Sequence, residues 1–158
     1  MTALVVVPSP VTPLQLMGNT LSLKVTAADT RGAFSVVDFQ VAPSFVAPPL
    51  FHANSREDWW GQVLEGEISV EPKGEAVQRI AAGSWVFVPR GTAFRWWNPL
   101  PQPARWLLTY SPGGFEGYFV EAARAVAEQG PTTPQEIAAL AVPLWHKYGV
   151  VTEKGGAR

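Results

Sequence analysis

The sequence contains no cysteine. That single absence excludes disulfide staples, thiolate nucleophiles, iron–sulfur clusters and zinc ribbons, because each needs a thiol. It also makes a cytoplasmic location the default expectation. Charge is sparse: charged residues make up 16%, the net charge is -1, and Lys and Arg form no run. A phosphate backbone would find no basic stripe to neutralise, so no nucleic-acid partner is expected. Long apolar stretches are missing too. The N-terminal run Ala3–Val7 stops at Pro8 and has no basic residue before it. It is too short for the apolar segment of a secretory signal, and a bilayer span needs about 20 residues, so no membrane partner is expected either. Histidine is scarce, with His52 and His146 the whole supply.

What is present is a core and many turns. Hydrophobic residues reach 47% over 158 residues, enough to bury the interior of one domain spanning 1–158. Fifteen prolines and fourteen glycines suit short strands joined by turns and argue against a helical bundle.

From about residue 20 to 111 the pattern reads as a β-barrel or sandwich. Leu21–Thr26 and Ala33–Val41 are predicted strands divided by the polar turn Asp29-Thr30-Arg31-Gly32. Within the second, Ala33, Val37, Phe39 and Val41 are placed on one face. The proline-rich stretch Ala42–Leu50 is expected to be an extended connection. Trp59–Glu71 reads as a strand pair or one long bent strand, followed by a hairpin turn at Glu71-Pro72-Lys73-Gly74. Ala76–Ile80, Ser84–Val88, Ala93–Trp97 and Trp106–Tyr110 complete the set.

The tail, about 115–148, changes period. Phe119, Ala122, Ala123 and Val126 recur at helical spacing, and Gly130 is a natural stop. Thr133-Pro134-Gln135-Glu136 is a capping box with proline at the first helical position. Ile137, Leu140, Ala141 and Leu144 form the next stripe, which Pro143 is expected to kink or split. Both helices are expected to pack on the outside of the barrel.

Between Pro48 and Asn98 the chain resembles a known family. Pro48-Pro49-Leu50-Phe51-His52-Ala53-Asn54-Ser55-Arg56-Glu57-Asp58, then Val63-Leu64-Glu65-Gly66-Glu67, is similar to the first cupin motif. Gly83, Pro89, Gly91 and Asn98 keep every spacing of the second. Thr30–Phe39, Ser111–Glu116 and Lys147–Val150 also resemble the quercetin dioxygenase-like single-domain cupins. The resemblance implies an all-β fold in the main, a cupin-type double-stranded β-helix or jelly-roll barrel with C-terminal helices, and a homodimer to which Ala3–Val7 would contribute.

It also implies a metal held by three histidines and a glutamate. Carried over by position, the first histidine is His52, the second falls on Asn54, the glutamate on Trp59, and the motif-two histidine on Phe94. Trp and Phe offer a metal no lone pair, and Asn is a weak neutral ligand. No metal or other cofactor is therefore expected, with Glu57 or Asp58 as conceivable rescue ligands. His146, in the last turn of a helix, suits a structural role.

Strand alternation puts Trp59, Gly61 and Val63 on one face, and Phe94 with Trp96 on another strand. Two readings stay open for these rings: they plug the barrel as core, or they line a pocket for an apolar or aromatic small molecule that His52 and Asn54 orient. His52 is then a ligand-orienting group, a general base or a satisfied core histidine. Arg90 and Arg95 could recognise a carboxylate, though solvated roles are commoner. No G-x-S-x-G elbow or phosphate-cradling glycine loop is present. Three function classes follow: a metal-free binder, a metal-independent isomerase or cyclase using His52, and a dioxygenase-like enzyme with an atypical metal site.

Overall fold

Apolar residues alternating with polar ones build most of the strands where they are expected. The computed structural model describes residues 12–48, 50–130 and 133–152; the Ala3–Val7 run lies outside them. The strands are β1 (Leu14–Leu16), β2 (Asn19–Val25), β3 (Ser35–Val41), β4 (His52–Asn54), β5 (Asp58–Glu65), β6 (Glu67–Pro72), β7 (Gln78–Ala81), β8 (Trp85–Val88), β9 (Phe94–Trp97), β10 (Ala104–Ser111) and β11 (Val150–Thr152). Two helices, α1 (Glu116–Gln129) and α2 (Pro134–Lys147), precede the last strand.

The strands form two antiparallel sheets, ordered β1-β2-β3-β10-β5-β8 and β11-β4-β9-β6-β7. Their inner faces meet over a core that includes Leu21, Val37, Val63, Ile68 and Trp106, all essentially inaccessible. β5 shows the alternation clearly: Trp59, Gly61 and Val63 are buried while Trp60, Gln62 and Leu64 are half-exposed. This is the two-residue period of a sheet with one face on the core.

Polar residues fix the corners. The Asp38 carboxylate, 7% exposed, accepts two bonds from the Arg105 guanidinium at 2.9 and 2.8 Å. Buried Asn98 donates to the carbonyls of Ala42 and Gln102 and accepts from the Leu100 N–H, which holds the turn after β9. Glu116, in the first turn of α1, ties the helix start to the barrel, its carboxylate accepting from the Ala27 and Gly114 backbone N–H groups. An anion is also favourable there because it sits at the positive end of the helix dipole.

Several expectations need correction. Ala33 precedes β3 and is exposed, so it does not share the buried face of Val37, Phe39 and Val41. The Trp59–Glu71 stretch is two strands, divided at Gly66, whose φ of 72° only glycine adopts easily. The Ala42–Leu50 connection carries one β-bridge, Val46 to Trp97. The short strands β1, β4 and β11 were not expected. α2 runs through Pro143 without being split; packing of the helix outweighs the loss of one backbone bond. Its capping box forms as expected, with Thr133 and Glu136 bonding each other's backbone at 3.2 and 3.0 Å. Among the described residues no helix is long and apolar enough to cross a membrane.

Candidate functional site

The first cupin-like motif becomes β4, a strand of three residues held between β11 and β9. A two-residue spacing puts His52 and Asn54 on the same face, and both face a cavity between the sheets. Phe94 is the cross-strand partner of His52, with ring centroids 4.6 Å apart. Trp59 enters from the opposite sheet and packs on Phe94 at 5.2 Å. Trp96, two residues along β9, meets Trp106 at 5.0 Å and Phe39 at 5.6 Å. All five residues singled out in the sequence, His52, Asn54, Trp59, Phe94 and Trp96, therefore line one cavity.

The helices were expected outside the barrel, and that is only half the arrangement. α2 brings Trp145 onto the other side of the His52 ring, at 4.9 Å between centroids. α1 adds Tyr118 and Phe119 to the cavity wall. The tail thus closes one end of the barrel. Trp106 and Trp145 were missed, although both obey simple periods. Trp106 falls in the buried register of β10 with Ala104, Leu108 and Tyr110, and Trp145 lies four residues after fully buried Ala141.

The cavity measures about 90 Å³. An apolar void on the order of 150 Å³ is known to admit benzene, so this one holds a ring only if a few side chains give way. Beside it runs an open groove of about 550 Å³ between the Phe45–Pro48 loop and α2 residues Gln135, Ile137 and Ala138. Met17, Phe45, Ala47 and Pro48 line both spaces and form the partition between them.

Among the described residues no Lys, Arg, Asp or Glu lines the cavity. Its polar groups are few, and some are already paired: Asn19 accepts from the Ala42 N–H, and Tyr118 bonds Trp145. His52 Nδ1 lies 3.2 Å from the Leu50 carbonyl, and a carbonyl can only accept, so Nδ1 carries the proton. Burial pushes the His52 pKa down, while the Leu50 bond opposes this. The ring is therefore held neutral, with its lone pair on Nε2. The Asn54 amide nitrogen is buried with no close hydrogen bond, its one polar neighbour being the Glu57 carboxyl, and Trp106 Nε1 is buried without a partner. Behind Asn54 sits Glu57, 4% exposed, with Oε2 unpaired and its carboxyl pKa raised by desolvation. Burial and hydrogen bonding set the neighbouring phenols as well: Tyr118 is pushed up to about 12, mainly by burial.

The positions at which the family resemblance implies a metal do not make a donor set. Trp59 and Phe94 fill two of them with carbon, and Glu57 is not part of the cavity wall. Asp58 is committed to the surface, where it accepts from the Arg90 backbone N–H and guanidinium at 2.8 to 3.2 Å. Among the described residues no group of three or more His, Asp or Glu side chains gathers closely enough to hold a metal ion. The residues present do not fit a divalent transition metal, which needs several such donors at about 2.0–2.2 Å. Arg95 is likewise engaged, bonding Glu71 at 2.6 Å with Phe51 beneath its guanidinium. His146 is exposed on α2, away from the cavity.

Comparison with known proteins agrees with this architecture. Residues 37–110 match the model of the cupin domain. No curated protein matches the chain. Among solved structures, the polyketide cyclase RemF from Streptomyces resistomycificus is similar at 21% identity and a TM-score of 0.57, over 70% of this chain and 80% of that one. KdgF from Halomonas sp. shares 21% identity at a TM-score of 0.54, over 64% and 86%. The Schizosaccharomyces pombe Cnp3 cupin domain shares 16% at 0.53, over 71% and 70%. At these identities the likeness speaks for the fold. With two antiparallel sheets, C-terminal helices and the matched segment inside the barrel, the chain has the cupin double-stranded β-helix fold.

Proposed function

We propose that this barrel is a metal-free cupin of the quercetin dioxygenase-like kind that takes up a small apolar or aromatic molecule. The observation that carries the reading is the packing around His52. At the positions where the family resemblance implies further ligands, Phe94 and Trp59 instead extend a run of rings from Trp145 through His52 to Trp106. A mostly apolar wall with a few placed polar groups is the composition of a small-molecule site. Core filling is the competing account of the same rings, and the residual 90 Å³ void speaks against a barrel packed solid.

Titration of the protein with toluene, followed by tryptophan fluorescence, tests this. Saturable quenching is expected, because four of the seven tryptophans line the cavity. A linear response indistinguishable from that of free tryptophan would refute it.

A metal-independent isomerase or cyclase stays as the second reading, on the strength of the free His52 Nε2. It requires that His52→Ala abolish turnover, whereas a binder loses affinity only. The dioxygenase-like reading lacks support from the donor set described above.

We also propose a homodimer in the cytoplasm. Trp85 and Phe87, each 63% exposed on edge strand β8, support self-association. A monomeric mass by light scattering at micromolar concentration would remove that proposal.

A further inference from the structure

The reading above leaves the chemistry of the ligand open, and the unpaired polar atoms of the cavity narrow it. His52 Nδ1 is occupied by the Leu50 carbonyl, so the ring presents only Nε2 to a ligand, and presents it as an acceptor. The Asn54 amide, two residues along the same face of β4 and only 5% exposed, carries two donor hydrogens, and the Glu57 carboxyl behind it can take at most one, which leaves a buried donor to spare. A buried donor left unpaired costs free energy, and a ligand that supplies the missing acceptor recovers it. The two polar residues thus ask for opposite things. A hydroxyl group meets both, since its O–H donates and its oxygen accepts.

Charge narrows the class further. With no cationic side chain in the wall, a carboxylate or phosphate would enter without compensation, and transfer of an unpaired anion into an apolar site is prohibitive. With no carboxylate in the wall, an ammonium group would rely on the ring faces alone. The flat faces of Trp59, Phe94 and Trp106 favour a planar ring over a branched aliphatic chain.

Resting on the pocket reading, we propose that the ligand is a neutral phenol-like molecule whose hydroxyl donates to His52 Nε2 and accepts from Asn54. The rest of it, an uncharged ring, lies among the tryptophans, reached past the partition formed by Met17 and Phe45.

The test compares three probes of one shape on the full chain: phenol, toluene and benzoate. Each is titrated at neutral pH and followed by NMR of the tryptophan indole resonances. Phenol is expected to bind about three- to tenfold more tightly than toluene, the worth of one net hydrogen bond, and benzoate to show no saturable binding. In His52→Leu the ratio should fall to about one. A measurement without any variant guards against a folding defect: the His52 Nε2 nitrogen resonance should move on adding phenol and stay put on adding toluene. Toluene binding as well as phenol, with no shift at Nε2, overturns the hydroxyl inference while leaving the pocket standing. Tightest binding by benzoate, or by tetramethylammonium as a fourth probe, overturns it too. If neither phenol nor toluene binds, the pocket reading fails and the inference falls with it.

Discussion

Removing the ring of Phe94 tests whether the aromatic cluster is a packed part of the fold or a loose lining. Phe94 is 4% exposed and lies between His52 at 4.6 Å and Trp59 at 5.2 Å. Phe→Ala at a buried site costs about 3–5 kcal/mol, the transfer term plus a cavity term of about 24 cal/mol per Å³. Here the new hole opens onto an existing void of about 90 Å³, so the walls cannot easily collapse and the upper half of that range applies. For a chain of this size 1 kcal/mol moves the midpoint by about 2–4 °C. Phe94→Ala should therefore melt roughly 8–20 °C below the wild type by calorimetry. Benzene at a hundredfold excess over its Kd should restore about 2.7 kcal/mol, because the enlarged cavity is apolar and ring-sized. A loss below about 1 kcal/mol, or no recovery with benzene, would show that Phe94 is not clasped between its neighbours.

Other perturbations probe separate parts of the account. Gly66→Ala puts a methyl group 3.0 Å from the Pro103 carbonyl oxygen at a φ of +72°, and should cost about 1–3 kcal/mol by urea unfolding. Glu57→Gln should stabilise the protein at neutral pH. The carboxyl pKa is raised in the fold, so folding works against ionisation above the unfolded value of 4.5. The gain should be absent below that pH and appear as pH rises through and above it; a gain that is equally large in acid would refute the burial argument. Thr133→Ala removes one half of the capping box and should cost about 0.5–2 kcal/mol. Because α2 carries Trp145, fraying there should also change fluorescence in the folded baseline.

Most of the barrel was legible because its signals are local. The period-two burial of β5 and β10 and the capping box of α2 can be read without knowing what lies across the core. The strands that escaped notice, β1, β4 and β11, have three residues each, too few to show a period. They exist because a neighbouring strand offers hydrogen bonds. β4 matters most, since pairing with Phe94 on one side and Thr152 on the other is what aims His52 inward.

The site was half legible. Motif spacing delivered His52, Asn54, Trp59 and Phe94, all of which the structure gathers in one place. Trp145 was not recoverable, because it reaches the site through the packing of a helix more than ninety positions along the chain. Of the kink or split expected at Pro143, the split does not occur for a related reason: its local cost is real, but the burial of Ala141 and Trp145 on either side holds α2 in one piece.

The surroundings of His52 are an aromatic cage with too few donors for a metal. Elemental analysis of protein purified without an affinity tag or added metal tests that claim most directly. Iron, manganese, nickel, copper and zinc are all expected at background level. Near-stoichiometric content of any one of them would contradict the account and point to a carboxylate, Glu57 first, turning in beside His52.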